Sequence, residues 1–166
     1  MPGPSATPEY AQQAAVASAV AVGHLTPAGK RCLQEAERQS RYLHDNHVGT
    51  EHIVLGVLVA DPGTAGILAR NGITEDVFRA QLHQEPGPSP DGRIPLTVRA
   101  QMVLGFAWSL AADDTGAIAP RHLMLGIIDE SDDWHQRGLE GPHHLARAAT
   151  AAGTSLVAVR SALSGL

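Results

Sequence analysis

Apolar residues return at the helical spacing along most of the chain, and the places where that rhythm breaks mark the ends of the elements. Between Thr26 and Leu43 one stripe carries Leu33, Ala36, Ser40 and Leu43, while Glu37 stands one turn before Arg41 on another face. Thr26-Pro27 has the form of an N-cap followed by a first-turn proline. Thr50 then predicts the cap of a second helix over about Glu51 to Ala60. Ile53, Val54, Leu55, Val57, Leu58 and Val59 leave it almost no polar face, so this helix must be buried. Asp61-Pro-Gly63 ends it; a short helix follows from about Thr64 to Arg70, and Thr74 caps another through about Leu82. No strand-period alternation persists, and an all-α fold follows.

Residues 85–95 begin with Glu85-Pro-Gly-Pro-Ser-Pro-Asp-Gly92, which suits a linker. Beyond it the pattern repeats. Leu25-Thr26 returns as Leu96-Thr97, and EHIVLGVL at 51–58 returns as RHLMLGII at 121–128, so the chain is an internal duplication. Residues 25–84 form the first copy and 96–166 the second, each predicted to hold four helices, the two related by a pseudo-twofold. In the second copy Met102, Phe106 and Leu110 mark the first helix and Leu123 to Ile128 the buried one. Leu145 to Ala152 and Ser155 to Leu163 supply the remaining pair. The insertion at 129–141, read as a polar loop carrying Trp134, is the main departure from symmetry. Gly56 and Gly126 hold the same place in the two buried helices, at a cost of about 1 kcal/mol each relative to alanine. Another helix is expected to approach closely there.

Composition narrows the function. The net charge of -5, with no Lys/Arg cluster, argues against partners such as nucleic acid or an anionic membrane surface. A single cysteine, Cys32, excludes an internal disulfide and fits a cytoplasmic setting. Residues 1–24 include an Ala/Val-rich run, but Glu9, Gln12 and Gln13 precede it and no basic start is present. The segment reads as a tail able to form an extra helix rather than a leader or a membrane span.

The stretch HVGTEHIVLGVL at 47–58 sets two histidines and a glutamate against an apolar run. With His44 nearby, a small metal-dependent hydrolase is one reading. No H-E-x-x-H pair supports it, however, and His52 recurs as His122 without its neighbours, which fits a packed or capping side chain. No cofactor and no metal is expected. Glu51 has two open readings, a first-turn carboxylate favoured by the helix macrodipole or a ligand-binding acid. Cys32, on a helix with no His/Asp pattern nearby, reads as a structural thiol. Trp134 either anchors a partner or folds back onto the helices, the second being preferred, and Asp132 and Asp133 read as solvated charge.

Leu-Thr at a helix head, Val48-Gly-Thr-Glu-His-Ile-Val-Leu-Gly-Val-Leu58, and a connector ending Gly92-Arg-Ile-Pro-Leu-Thr97 together resemble the repeat of the Clp ATPase N-terminal domain, ClpC type. The likeness spans about residues 25–166. It implies a docking module for adaptors and substrates of an unfoldase–protease system, in the Clp proteolysis and protein quality control pathway. No G-x-x-x-x-G-K-[ST] phosphate loop is present, so the expectation is a non-enzymatic domain standing without the ATPase modules. A decoy that sequesters ligands, an adaptor or a substrate receptor would each fit. In the ClpC type the glutamate of Thr-Glu-His recognises phosphoarginine tags, which by resemblance assigns Thr50 and Glu51 to such a site. Arg121 stands at the matching place in the second copy and implies an altered second site. Cyclic peptide antibiotics bind relatives at a surface matched here by Leu25, Lys30, Leu96 and Gln101.

Overall fold

A computed structural model describes residues 6–82 and 91–165; most of the predicted 85–95 linker lies outside the described residues. Among the described residues there are nine α-helices and no strand: α1 (Pro8–Ala21), α2 (Pro27–Tyr42), α3 (Thr50–Ala60), α4 (Pro62–Arg70), α5 (Glu75–Arg79), α6 (Val98–Ala112), α7 (Pro120–Gln136), α8 (His144–Ala151) and α9 (Leu156–Ser164). Helix starts follow side-chain capping. The hydroxyls of Thr7, Thr26, Thr74, Thr97 and Ser155 each accept a backbone N–H from the first turn of their helix. Asp61 ends α3 and at once caps α4 through Thr64 N–H, so α4 begins at Pro62, two residues before the sequence pattern suggests.

The two copies, α2–α5 and α6–α9, are stitched together at equivalent points. Leu25 pairs with Ile118 and Val48 with Leu96 in isolated parallel bridges, so the head of each copy's first helix lies on the loop before the other copy's buried helix. That exchange is the pseudo-twofold expected from the duplication. It also places the N-termini of α3 and α7 at the seam between the copies.

α3 and α7 form the centre. Ile53, Leu55, Leu123 and Met124 are fully buried, with Phe78, Leu104 and Leu163 packed round them. Each is crossed by the first helix of its own copy at the repeated glycine. A Cβ on Gly56 would overlap the Cys32 carbonyl oxygen and lie 2.9 Å from Ala36 N; one on Gly126 would lie 2.7 Å from Val103 O. The close helix approach read from the sequence is therefore backbone against backbone.

The extra helix expected in the N-terminal tail is present, and one feature, the insertion, differs from the sequence reading. The N-terminal tail forms α1, which packs on α6 with Ala17 against Gly105. The 129–141 insertion is no loop: α7 runs on to Gln136, and the chain turns only at Gly138, whose φ is 69°. The reason lies in its spacing, because Glu130 and Trp134 are one turn apart and both are buried. Arg99 of α6 grips Glu130 at 2.6 and 3.0 Å and stacks over the Trp134 ring at 4.8 Å. Tyr10, Ala14, Met102 and Trp134 form a second small core that fastens α1 to the extension. Asp133, read as solvated, instead accepts from the Tyr10 hydroxyl at 3.3 Å and from Arg137 at 2.9 Å. No single described helix is long and apolar enough to cross a membrane; α3 and α4 together reach that length, but they meet at 104° and α3 is core.

Candidate functional site

The start of α3 is built by a histidine rather than by a hydroxyl. Gly49, not Thr50, holds the N-cap position, and its N–H donates to His52 Nδ1 at 2.8 Å. His52 Nε2–H in turn reaches Asp45 Oδ2 at 2.8 Å. Both ring nitrogens of this fully buried side chain are thereby committed. The second copy repeats the device: Ala119 N–H donates to His122 Nδ1 at 2.9 Å, and His122 Nε2 meets Asp114 Oδ2 at 2.9 Å. The aspartate stands seven residues before the histidine in one copy and eight in the other, a one-residue difference that hides the pairing from sequence comparison.

With the cap filled by His52, Glu51 is free of that duty. Its carboxylate folds back over Gly49, so closely that a Cβ there would lie 2.5 Å from Oε2 and 2.6 Å from Oε1. Only glycine permits the fold. Oε1 lies 3.6 Å from His47 Nε2 and 3.5 Å from His52 Nδ1, and the side chain keeps 19% of its exposure. Burial is the largest single influence on Glu51 and pushes its pKa up. Pairing with His47, the His52 ring, its own backbone N–H and His144 outweigh burial and bring the carboxyl down to about 2. The acid is therefore an anion throughout the neutral range.

In the second copy Ala119 replaces Gly49 and Arg121 replaces Glu51. Arg121 turns to Asp114, which also holds His122. The equivalent face of α7 thus presents a guanidinium beside a groove of about 450 Å³ lined by Arg121, Arg70, Ile67 and Pro120.

Glu51 sits on the wall of an open pocket of about 300 Å³ between the copies. Asp45, His47 and Glu51 line it from the first copy, and Pro142, His144 and Arg147 from the second. A narrow crevice of about 20 Å³, room for one water, continues behind Glu51 and Thr50 toward Arg99 and the start of α8. His143 and His144 open α8, as cap and first residue. Burial lowers the pKa of both rings and favours their neutral form. Gly49, His144 and Arg147 are the site residues that sequence reasoning missed, and His47 was singled out only as a candidate metal ligand. Gly49 within the Gly-Thr-Glu-His run was the one available signal.

The other sequence-predicted surface divides. Leu96 and Gln101 line a groove of about 520 Å³ between α2 and α6, together with Val22, Leu33, Glu37 and Leu104. Leu25 and Lys30 do not line it. Leu25 is held in its bridge to Ile118, and Lys30 is exposed on α2.

Metal chemistry at the histidines fares poorly on geometry. His47, Glu51 and His52 bring candidate ligand atoms within 4.8 Å of one another, but His52 has no lone pair to spare without uncapping α3. His44 lies outside that group, exposed in a left-handed turn at φ 60°. Cys32 is fully buried, and burial first, then Asp61, pushes its thiol up to about 12, which leaves no thiolate near neutral pH.

Residues 25–142 match the family model of the Clp repeat (R) N-terminal domain. A probable ATP-dependent Clp protease ATP-binding subunit of Chlamydia pneumoniae is 32% identical over 124 residues, covering 71% of this chain and 15% of that protein. The ATP-dependent Clp protease ATP-binding subunit ClpC of Staphylococcus aureus (strain USA300) is 29% identical over 114 residues, covering 66% of this chain and 14% of its own length. The crystal structure of the N-terminal domain of the caseinolytic protease associated chaperone ClpD from Arabidopsis thaliana matches with a TM-score of 0.65 at 20% identity, over 86% of this chain and 96% of that one. At that identity the structural likeness is one of fold.

Proposed function

The chain belongs to the Clp repeat N-terminal domain family, and from that premise we propose that it is a binding module for arginine-tagged substrates or their adaptors, with a single working acidic site at Glu51. It spans about a seventh of the length of the curated relatives it matches, so their ATP-dependent activity is no part of this reading. The observation that carries the proposal is the ionised Glu51 carboxylate on the wall of a pocket that faces Arg147 and His144. A carboxylate there takes a guanidinium through charge-assisted hydrogen bonds, and the Arg147 guanidinium opposite suits a phosphoryl group. Thr50 adds a first-turn position at the crevice behind the acid. Arg121 repels a guanidinium at the equivalent face, so the second site is changed in preference. A calorimetric titration with phosphoarginine tests this: binding that Glu51→Ala abolishes supports the assignment, and equal binding by both proteins refutes it.

A second reading rests on the apolar groove between α2 and α6. Its Leu33, Leu96 and Leu104 lining suits a peptide-like ligand, such as an adaptor segment or a cyclic peptide antibiotic, in a sequestering or adaptor role within a Clp system. Competition between such a peptide and Leu96→Lys separates this surface from the Glu51 pocket.

A further inference from the structure

His47 stands between Glu51 and solvent, and its geometry makes it more than a neighbour. Its Nδ1 lies 3.0 Å from the side-chain oxygen of Asn46, an acceptor only, so that nitrogen carries the ring proton. In the neutral ring the other nitrogen, Nε2, then points a lone pair at Glu51 Oε1 across 3.6 Å, and no bond joins them. One added proton turns the same contact into an ion pair. The imidazole is the movable half, with 42% of its side chain exposed against 19% for Glu51, which is pinned over Gly49.

We propose that His47 is a proton-operated gate on the Glu51 site: the protonated ring occupies the carboxylate that a cationic ligand needs, and the neutral ring releases it. The gate rests on the reading of Glu51 as a guanidinium site and adds its regulation. Every other group facing the pair is accounted for. Asp45 is bound to His52 Nε2, and His52 Nδ1 accepts the Gly49 N–H in the cap. Across the pocket stand the Arg147 guanidinium and His144, whose pKa burial pushes down, away from that of His47. That leaves His47 as the group that changes charge near neutrality among those lining the pocket. Pairing with Glu51, against a smaller opposing effect of burial, raises its pKa above the ordinary 6.5. The second copy carries Ala117 at the matching place and has no acid to gate.

The test uses N-acetyl-arginine amide, whose guanidinium does not titrate and which has no phosphoryl group to confuse the pH profile. Its affinity is followed by NMR from about pH 5.5 to about pH 8.5 for the unaltered protein, His47→Asn and Glu51→Gln. One proton competing with one ligand predicts an affinity that falls about tenfold per pH unit below the His47 midpoint. His47→Asn should bind tightly at every pH, and Glu51→Gln weakly at every pH. Equal, flat profiles for the unaltered protein and His47→Asn overturn the gate and leave the Glu51 site standing. No binding by either at the alkaline end overturns the Glu51 reading and the gate with it. Without any ligand, the His47 ring midpoint should drop in Glu51→Gln; an unmoved midpoint also overturns the gate.

Discussion

Gly56→Ala adds one methyl group to the middle of α3 and should destabilise the protein, although alanine is the better helix former. The helix itself gains about 1 kcal/mol from the exchange. Against that, the new Cβ would overlap the Cys32 carbonyl oxygen and crowd Ala36 N at 2.9 Å. Both are backbone atoms of α2, so no rotamer change relieves the overlap. α2 must lift from α3, which loosens the packing of the fully buried Cys32 and Ala36. Overpacking of this kind costs about 1–3 kcal/mol, toward the upper end where backbone must move, so the net loss is about 2 kcal/mol. Urea unfolding followed by circular dichroism reads it as a lower midpoint at unchanged slope. Gly66→Ala is the matched control. Its Cβ meets nothing nearer than Arg70 Nη1 at 3.8 Å, so it should raise stability by up to about 1 kcal/mol. A Gly56→Ala protein as stable as the parent, or more so, would refute the close-crossing argument.

Arg99→Ala leaves Glu130 buried without its cation and should cost about 3–5 kcal/mol by the same unfolding assay, whereas a loss below about 1 kcal/mol would show the pair to be solvated. Tyr10→Ala removes the ring that wedges α1 against Trp134 at 5.7 Å, so hydrogen exchange over 8–21 should speed up while α3 and α7 keep their protection. His52→Ala strips the cap from α3 and should cost about 1–2 kcal/mol, with His122→Ala costing a similar amount in the other copy. The Glu51–His47 pair sets a pH window. Glu51 is lowered from 4.5 to about 2, so its contribution is present above 4.5 and lost as pH falls toward 2. His47 is raised above 6.5, so its contribution is complete below 6.5 and lost as pH climbs through its folded value. Thermal melts across pH should show both edges, and Glu51→Gln should flatten them.

The duplication, the buried helices and the meaning of the repeated glycines were legible because each leaves a local mark: an apolar run, a threonine cap, a glycine where nothing else fits. The insertion was misread because its polar residues, taken in order, look like a loop. Only the spacing of Glu130 and Trp134, with Arg99 brought over from α6, makes them a buried helical face. The candidate site was half legible. Thr50, Glu51 and Arg121 stood out by position, and His52 as a capping residue followed from its recurrence as His122. His144 and Arg147 belong to the far copy, and nothing in their local sequence announces that α8 closes over the start of α3. Gly49 was visible, but its purpose depends on where the Glu51 carboxylate turns.

The measurement that bears most directly on the account is a two-dimensional amide NMR map of phosphoarginine binding to the whole chain. A single acidic site predicts saturable shifts confined to residues 45–52 and 142–147, lost in Glu51→Gln, with Ala119 to His122 unmoved. Shifts centred on Arg121, on the groove between α2 and α6, or nowhere at all would contradict it.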